Sequence, residues 1–464
     1  MKRLLPITLF IIGICGNANA QDSTKLKLLY NWQDSTLPGS FPYNNVYNEV
    51  WGLEINGGMY AIIGATDGTH FFDITDKDSI EKVAYVPGEV QGGTIVHRDY
   101  HDYQGYLYAV SDEGPSTLQI MDLHFLPDSV PLAYDSDSLF QRSHNIFIDT
   151  NNATLYACGV NKSNGATPFS SAMRIFDIST PLNPVYLYDY SDVSYVHDVY
   201  VRENIAYSNA GNSGLFVADF TNIPTSHTAL GSLTSYSTWK QGYNHSGWLD
   251  DGGDNYYFAD ETWGYPMKAC DVTDLSDIQI IDSFSSHINP QSIAHNLIVG
   301  GDKLFVSHYH DGLYIYDITD PLHPVEWAKY KTYDSLDHTS YRGAWGVFPF
   351  YPKTPIVLVS DMQFGLFVFE MTMPSGLNSP PTQDFDFQIF PNPVVDDLQV
   401  QGSNHAPNGD KVWRINDLQG RTMLSGTSSD QLSLNNLDDK LPSGFYIFQL
   451  ISEGNHYSIS FVKQ

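Results

Sequence analysis

The sequence predicts an all-β chain: a seven-bladed β-propeller followed by a small Ig-like β-sandwich. Three observations lead there. First, a short apolar run ending in an acidic residue recurs seven times. Its clearest copy is DGLYIYDITDPLHPV at 311–325. Others are GTHFFDITD (68–76), MRIFDISTPLNP (173–184), GLFVADFT (214–221), MKACDVTD (267–274) and GLFVFE (365–370), with TLQIMDL (117–123) a looser copy. Second, the acidic residues Asp73, Asp122, Asp177, Asp219, Asp271, Asp317 and Glu370 lie 49, 55, 42, 52, 46 and 53 residues apart. Strand-built repeats of that length are propeller blades. Third, the seventh copy has no strand after it. Residues 25–32, KLKLLYNW, resemble the strands that follow other copies, VYLYDY (185–190) and VEWAKY (325–330). This N-terminal strand is expected to close the last blade and leave no open junction.

The elements follow in chain order. Residues 1–20 read as a signal peptide, with basic Lys2-Arg3, an apolar stretch over 4–14 and a small-residue site at Ala18-Asn19-Ala20. The apolar stretch is too short to span a bilayer, and no later stretch is apolar for long enough. The propeller is expected over 21–373. In each unit a first strand opens at a His or Trp: 51–55, 144–148, 197–201 and 295–299. After a Gly- or Asn-bearing turn comes a second strand, at 59–64, 106–111, 155–159, 205–208, 256–259, 304–307 and 356–360. The repeated motif is the third strand, and the segment after its Pro is the fourth. Asp and Thr in the motif bond nearby backbone in a turn, and Pro cannot continue a ladder. Residues 374–384 read as a Pro-rich linker. Residues 385–464 carry short alternating strands at 385–390, 398–401, 412–417, 445–451 and 457–462, the pattern of a small sandwich.

The formal net charge is −30, and −32 once Lys2 and Arg3 leave with the signal peptide. So acidic a surface repels phosphate backbones, which argues against nucleic acid as a partner. Only Cys158 and Cys270 remain in the mature chain, in different units, so neither a disulfide nor a Cys-based zinc site is expected.

Two family resemblances add to this reading. Residues 385–464 resemble the sorting domain of the type IX secretion system. The matching blocks are Phe390-Pro391-Asn392-Pro393, Asp417-Leu418-Gln419-Gly420-Arg421, Leu441-Pro442-Ser443-Gly444-Phe445-Tyr446 and Val462-Lys463. The resemblance implies engagement with the type IX machinery and passage across the outer membrane. It also implies an extracellular or outer-membrane-surface location, and it says nothing about the cargo. Residues 45–373 resemble the LVIVD-repeat propellers called choice-of-anchor B proteins. The seven motif copies carry this, with His97-Arg98-Asp99 and Tyr108-Ala109-Val110-Ser111-Asp112-Glu113. That family supports fold and surface location, and no firm activity comes with it.

Chemistry is best sought at the residue opening each unit: Trp51, His97, His144, His197, His245, His295 and Trp345. The first strand of a blade is innermost, so these positions form a ring around the axis. The expected metal ligands are His144, His197, His245 and His295, joined by His97 of the same ring and by Asp112, Asp260 and His308 from neighbouring strand ends. A divalent ion at the axis is the candidate cofactor, because imidazoles assembled from distant repeats can hold a transition metal. The competing reading is blade-to-blade hydrogen bonding. The sequence contains no P-loop, no G-x-S-x-G and no H-E-x-x-H. Asp250–Asn255, DDGGDN, lacks the spacing of an EF-hand and reads as a hairpin turn. Asn244-His245-Ser246 fits a glycosylation sequon. The aromatics Trp239, Tyr243, Trp248, Trp263 and Tyr265 could stack on a sugar or peptide. The leading expectation is a secreted or surface binding module for a protein or glycan. The rival is a metal-dependent hydrolase or oxidase at the axial His/carboxylate cluster.

Overall fold

The computed structural model describes residues 24–164, 168–334 and 337–372, and in the C-terminal region strands and short segments between 388 and 463. The expected signal peptide (1–20) and linker (374–384) lie outside the described residues. The chain divides into two compact units, one ending at Thr372 and one beginning at Met373.

The first unit is a seven-bladed propeller of four-stranded antiparallel sheets. Its inner strands are Tyr47–Ile55, Arg98–Tyr103, Asn145–Asp149, Asp198–Arg202, Asn244–Leu249, Leu297–Gly300 and Ala344–Pro349, defining blades 1 to 7. In blades 1 to 6 the next three strands follow in sequence order. Blade 7 takes its outermost strand from the N-terminus. Leu26–Trp32 pairs antiparallel with Gly365–Met371, from Leu26 opposite Met371 to Trp32 opposite Leu366. The closure expected from the missing strand is therefore present.

The acidic residue of the motif has one recurring job. In blades 1 to 6, Oδ1 of Asp73, Asp122, Asp177, Asp219, Asp271 and Asp317 accepts the backbone N–H two residues on, at 2.7–3.0 Å. This Asx turn ends the third strand and points the chain back outwards. Glu370 has no turn to make. It accepts a bond from Lys77 Nζ of blade 1 at 2.6 Å instead. In all seven blades a register shift sits in the outer strand pairing, for example between Ile315 and Tyr316. Such bulges add twist, which lets adjacent sheets nest face to face.

Alternating apolar residues on both faces of these sheets make seven buried clusters, each drawn from two neighbouring blades. An eighth, with Val96, Ile293, Tyr309, Trp345 and Met362, lies among residues where inner strands begin and second strands end. Cys158 and Cys270 are free and buried. Asp250 Oδ1 accepts N–H bonds from Gly253, Asp254 and Asn255, so DDGGDN is the hairpin turn joining the first two strands of blade 5. Asn244 of the sequon is fully buried, which removes it as a glycan acceptor.

The second unit holds a three-stranded and a four-stranded antiparallel sheet. Leu398, Ile415, Leu437 and Phe448 are among its buried residues. Two strands, Thr422–Ser428 and Leu432–Leu434, were not expected from the sequence. Their Ser, Thr and Gly content gives no clean apolar alternation. Among the described residues, no helix is long and apolar enough to cross a membrane.

Candidate axial site

The inner strands of blades 2 to 7 each place one residue at one end of the central channel. His144, His197 and His295 donate their backbone N–H to Cys158, Asn209 and Ser307 at 2.8–2.9 Å, so each is fixed by its own blade's second strand. Five imidazoles and one indole form a closed ring of tilted contacts. Centroids are 4.9 Å apart for His97–His144, 4.0 Å for His144–His197 and 4.1 Å for His197–His245. His245–His295 is 4.4 Å, His295–Trp345 4.1 Å and Trp345–His97 5.2 Å.

Trp51 is not in this ring, contrary to expectation. Its Nε1 donates to Asp102 Oδ1 at 2.8 Å, and its ring packs on His101 at 4.7 Å and Phe348 at 4.8 Å. The cause is local. The inner strand of blade 1 shifts register between Tyr47 and Val50, which brings Glu49 to the cavity wall.

Below the imidazoles a second layer is oxygen-rich, with Glu49, Asp99, Asn145, Asp198 and Asn296. Below that, Trp51, His101, Phe147 and Trp248 form an aromatic layer. The cavity between the first two layers is about 30 Å³. Glu49 Oε2 accepts from Asn296 Nδ2 at 2.7 Å, and Asp99 Oδ2 accepts from the Ile146 N–H at 2.6 Å. The Oδ1 atoms of Asn145 and Asn296 are buried without a protein donor. Arg98 also reaches the wall, but its guanidinium donates to the carbonyls of Ala65 and Val90.

The imidazoles share a pattern of engagement. Nδ1 of His97 meets Glu113 Oε1 at 2.5 Å and Nδ1 of His144 meets Asp112 Oδ2 at 2.8 Å. Nδ1 of His197 and His295 meet the carbonyls of the next ring residue, His245 at 3.2 Å and Trp345 at 2.7 Å. His245 Nε2 lies 3.6 Å from Glu261 Oε2, and Glu261 Oε1 accepts from Tyr309 OH at 2.5 Å.

Protonation divides the ring. Burial opposes charge on His144, but the bond and charge of Asp112 outweigh it and raise its pKa. Burial, reinforced by neighbouring imidazoles, holds His197 and His245 well below the usual value. Burial also brings His295 down to about 3. The same loss of water raises Asp99 to about 7, Asp198 to about 8 and Glu261 to about 7, and Glu49 is raised well above its usual range.

Of the residues singled out by sequence, the structure brings His97, His144, His197, His245 and His295 together, with Asp112 against His144. Asp260 is elsewhere: it is fully buried against Lys268 Nζ and takes a 2.9 Å bond from Tyr236 OH. His308 packs on Tyr314 at 5.1 Å and is not on the cavity wall. Glu49 and Asp99 were missed. Asp99 follows His97 by two positions, and strand alternation could have flagged it. Two groups offer ligand atoms within 4.8 Å of one another: His97, Asp112 and His144, and His197, His245 and Glu261. Imidazole nitrogen with one carboxylate oxygen suits a divalent transition ion.

A histidine pair beside the ring supplies a pH test. His310 is buried with neither ring nitrogen bonded, stacked on His338 at 4.8 Å and near Tyr333, Trp263 and Asp311. Burial brings His310 and its neighbour His308 each down to about 4. An unfolded His binds a proton near pH ~6.5. The unfolded chain therefore takes up protons that the folded one refuses, and stability falls as pH drops through that window. His310→Phe removes one such group. Its unfolding free energy from urea melts should rise relative to wild type, by about 1 kcal/mol more near pH 5 than near pH 7. An equal effect at both pH values would contradict this.

Comparison with known proteins agrees with the two-part architecture. Residues 388–464 match the family described as secretion system C-terminal sorting domain. No curated protein matches the chain. The β-propeller domain of Cps50 (Swd1) from Myceliophteria thermophila superposes with a TM-score of 0.51 at 11% identity, over 75% of this chain and 100% of that one. U3-55K gives 0.51 at 7% identity, over 75% and 99%. PorZ, a surface component of the type IX secretion system of Porphyromonas gingivalis, aligns over 93% of this chain and 61% of its own, at 11% identity and a TM-score of 0.45. Likeness at such identity speaks to fold alone. The matched tail marks the propeller for type IX export to the cell surface or extracellular space.

Proposed function

We propose that this exported propeller is a binding module that engages a glycan on the face where the imidazole ring opens. The observation that carries this is an aromatic and acidic rim around the ring. Tyr195 lies 6.1 Å and Tyr243 5.3 Å from His197. Tyr341 packs on Tyr309 at 5.4 Å, on Trp263 at 5.2 Å and on Tyr43 at 5.5 Å. Tyr195, Tyr243, Trp263 and Tyr341 are half-buried and Tyr43 is exposed, so each keeps surface available. Asp112, Glu113 and Glu261 stand among them, half-buried. Aromatic faces stack on the C–H faces of sugars, and carboxylates accept hydroxyl protons. The strong negative charge disfavours anionic ligands.

The LVIVD-like repeats and their surface location support the same reading, with residues 385–464 as the part that meets the secretion machinery. A peptide ligand would use the same rim. A glycan array probed with the labelled mature protein tests the proposal. Binding to a defined set of neutral glycans is expected, and Trp263→Ala with Tyr341→Ala should weaken it about tenfold or more. No glycan above background, or unchanged binding by the double variant, overturns it.

A further inference from the structure

The axial cavity has features that blade-to-blade bonding does not require. A purely structural ring needs one nitrogen per imidazole. Nδ1 supplies it in His97, His144, His197 and His295, through a carboxylate or a neighbouring carbonyl. Nε2 of these four has no hydrogen-bond partner among the described residues. An imidazole whose Nδ1–H is held by a carbonyl or carboxylate presents Nε2 as a lone-pair donor, the arrangement usual for a metal ligand and its supporting shell.

Size and charge narrow the occupant. A cavity of about 30 Å³ has room for an ion or a water and excludes an organic molecule. Its floor holds three acidic side chains, Glu49, Asp99 and Asp198, and the only cationic guanidinium on its wall is engaged elsewhere. The unpartnered Asn145 and Asn296 oxygens add acceptors without donors. Imidazole nitrogens and carboxyl oxygens converging on one small cavity suit a cation.

We propose that this cavity binds one divalent first-row transition ion. The imidazoles of His197, His245 and His295 line it on one side and the carboxyls of Asp99 and Asp198 on the other. Mixed nitrogen and oxygen donors favour such an ion over calcium or magnesium, which take oxygen almost exclusively. An ion held there ties blades 2, 4, 5 and 6 together at the axis. A deeper ion site is independent of the glycan rim: a failed glycan array leaves it standing, and a glycan ligand does not establish it.

Metal analysis of the full mature chain tests this. Protein stripped with chelator is dialysed against manganese, iron(II), cobalt, nickel, copper or zinc, and bound metal is counted by mass spectrometry. Retention of about one ion per chain of at least one metal is expected, with a higher melting temperature than the stripped protein. His197→Gln and Asp198→Asn should each lower the affinity about tenfold or more. Should either variant fail to fold, X-ray absorption of the wild-type cobalt complex decides instead: scattering from several imidazoles is expected. No retained metal, retention unaffected by both variants, or an oxygen-only coordination shell overturns the proposal.

Discussion

Deleting residues 24–33 from the mature chain is expected to unfold the propeller or lower its stability by about 5 kcal/mol or more, a large share of a typical folding free energy. The strand Leu26–Trp32 completes the sheet of blade 7, and it also touches both neighbours. Lys25 Nζ donates to the Trp327 carbonyl of blade 6 at 2.8 Å and sits 4.8 Å over that indole. Trp32 packs on Tyr47, His70 and Phe72 of blade 1 at 5.6, 4.8 and 5.0 Å. Leu26 is buried and Leu29, Tyr30 and Trp32 are half-buried. At about 1.5–3 kcal/mol for a fully buried large apolar side chain, these four contribute several kcal/mol even at half value. Removal also leaves Gly365–Met371 with an unpaired edge, and edges of that kind promote association. A urea melt and light scattering on the truncated chain check this. A synthetic peptide of residues 24–33 should restore much of the lost stability by strand addition. A truncated chain as stable as wild type would show that the ring does not need its closure.

This closure was legible in the sequence because an absence can be counted. Six motif copies have a strand after them and the seventh does not, so one strand had to come from elsewhere. The motif's acidic residue was legible for a local reason: an Asx turn needs only Asp and the next two residues, and the same short bond recurs from Asp73 to Asp317. The axial site was harder, because which residue of an inner strand faces the channel depends on bulges. Register shifts fall between Tyr47 and Val50, Asn244 and Ser246, and Ala344 and Val347. Each moves the wall residue along the chain, and nothing in the spacing announces it. That is why Trp51 was expected in the ring and Glu49 was not. The adjacent acids Asp260 and Glu261 carry a similar ambiguity. Successive strand residues point opposite ways, and Glu261, not Asp260, is the one beside His245.

Asp260 has a different role, and it yields the second large effect. Lys268→Met is expected to cost about 3–5 kcal/mol, the loss typical when one member of a buried ion pair is removed. Both side chains have no solvent exposure. Lys268 Nζ donates to Asp260 Oδ2, to the Pro266 carbonyl at 2.7 Å and to the Lys240 carbonyl at 3.0 Å, which uses all three ammonium protons. Without it, Asp260 keeps only Tyr236 OH at 2.9 Å and the Gly242 N–H at 3.2 Å. Burial already raises the Asp260 pKa against the opposing pull of Lys268. In the variant that pull is gone, so the folded state holds a proton that the unfolded chain releases near pH ~4. The folded state then binds more protons, and its stability falls as pH rises. The deficit of Lys268→Met should therefore be larger near pH 8 than near pH 5. Adding Asp260→Asn should recover much of it, because an amide keeps an acceptor for Tyr236 without the buried charge. The pair also bears on the face proposed to bind ligand. Thr262 donates its N–H to the Asp260 carbonyl at 2.7 Å, and Glu261 donates its N–H to the Tyr243 carbonyl at 2.8 Å. A loosened Asp260 therefore disturbs the segment that holds Glu261 beside His245. Urea melts of the single and double variants at both pH values measure the effect. A single-variant loss under about 1 kcal/mol would mean the ion pair contributes no more than a surface one.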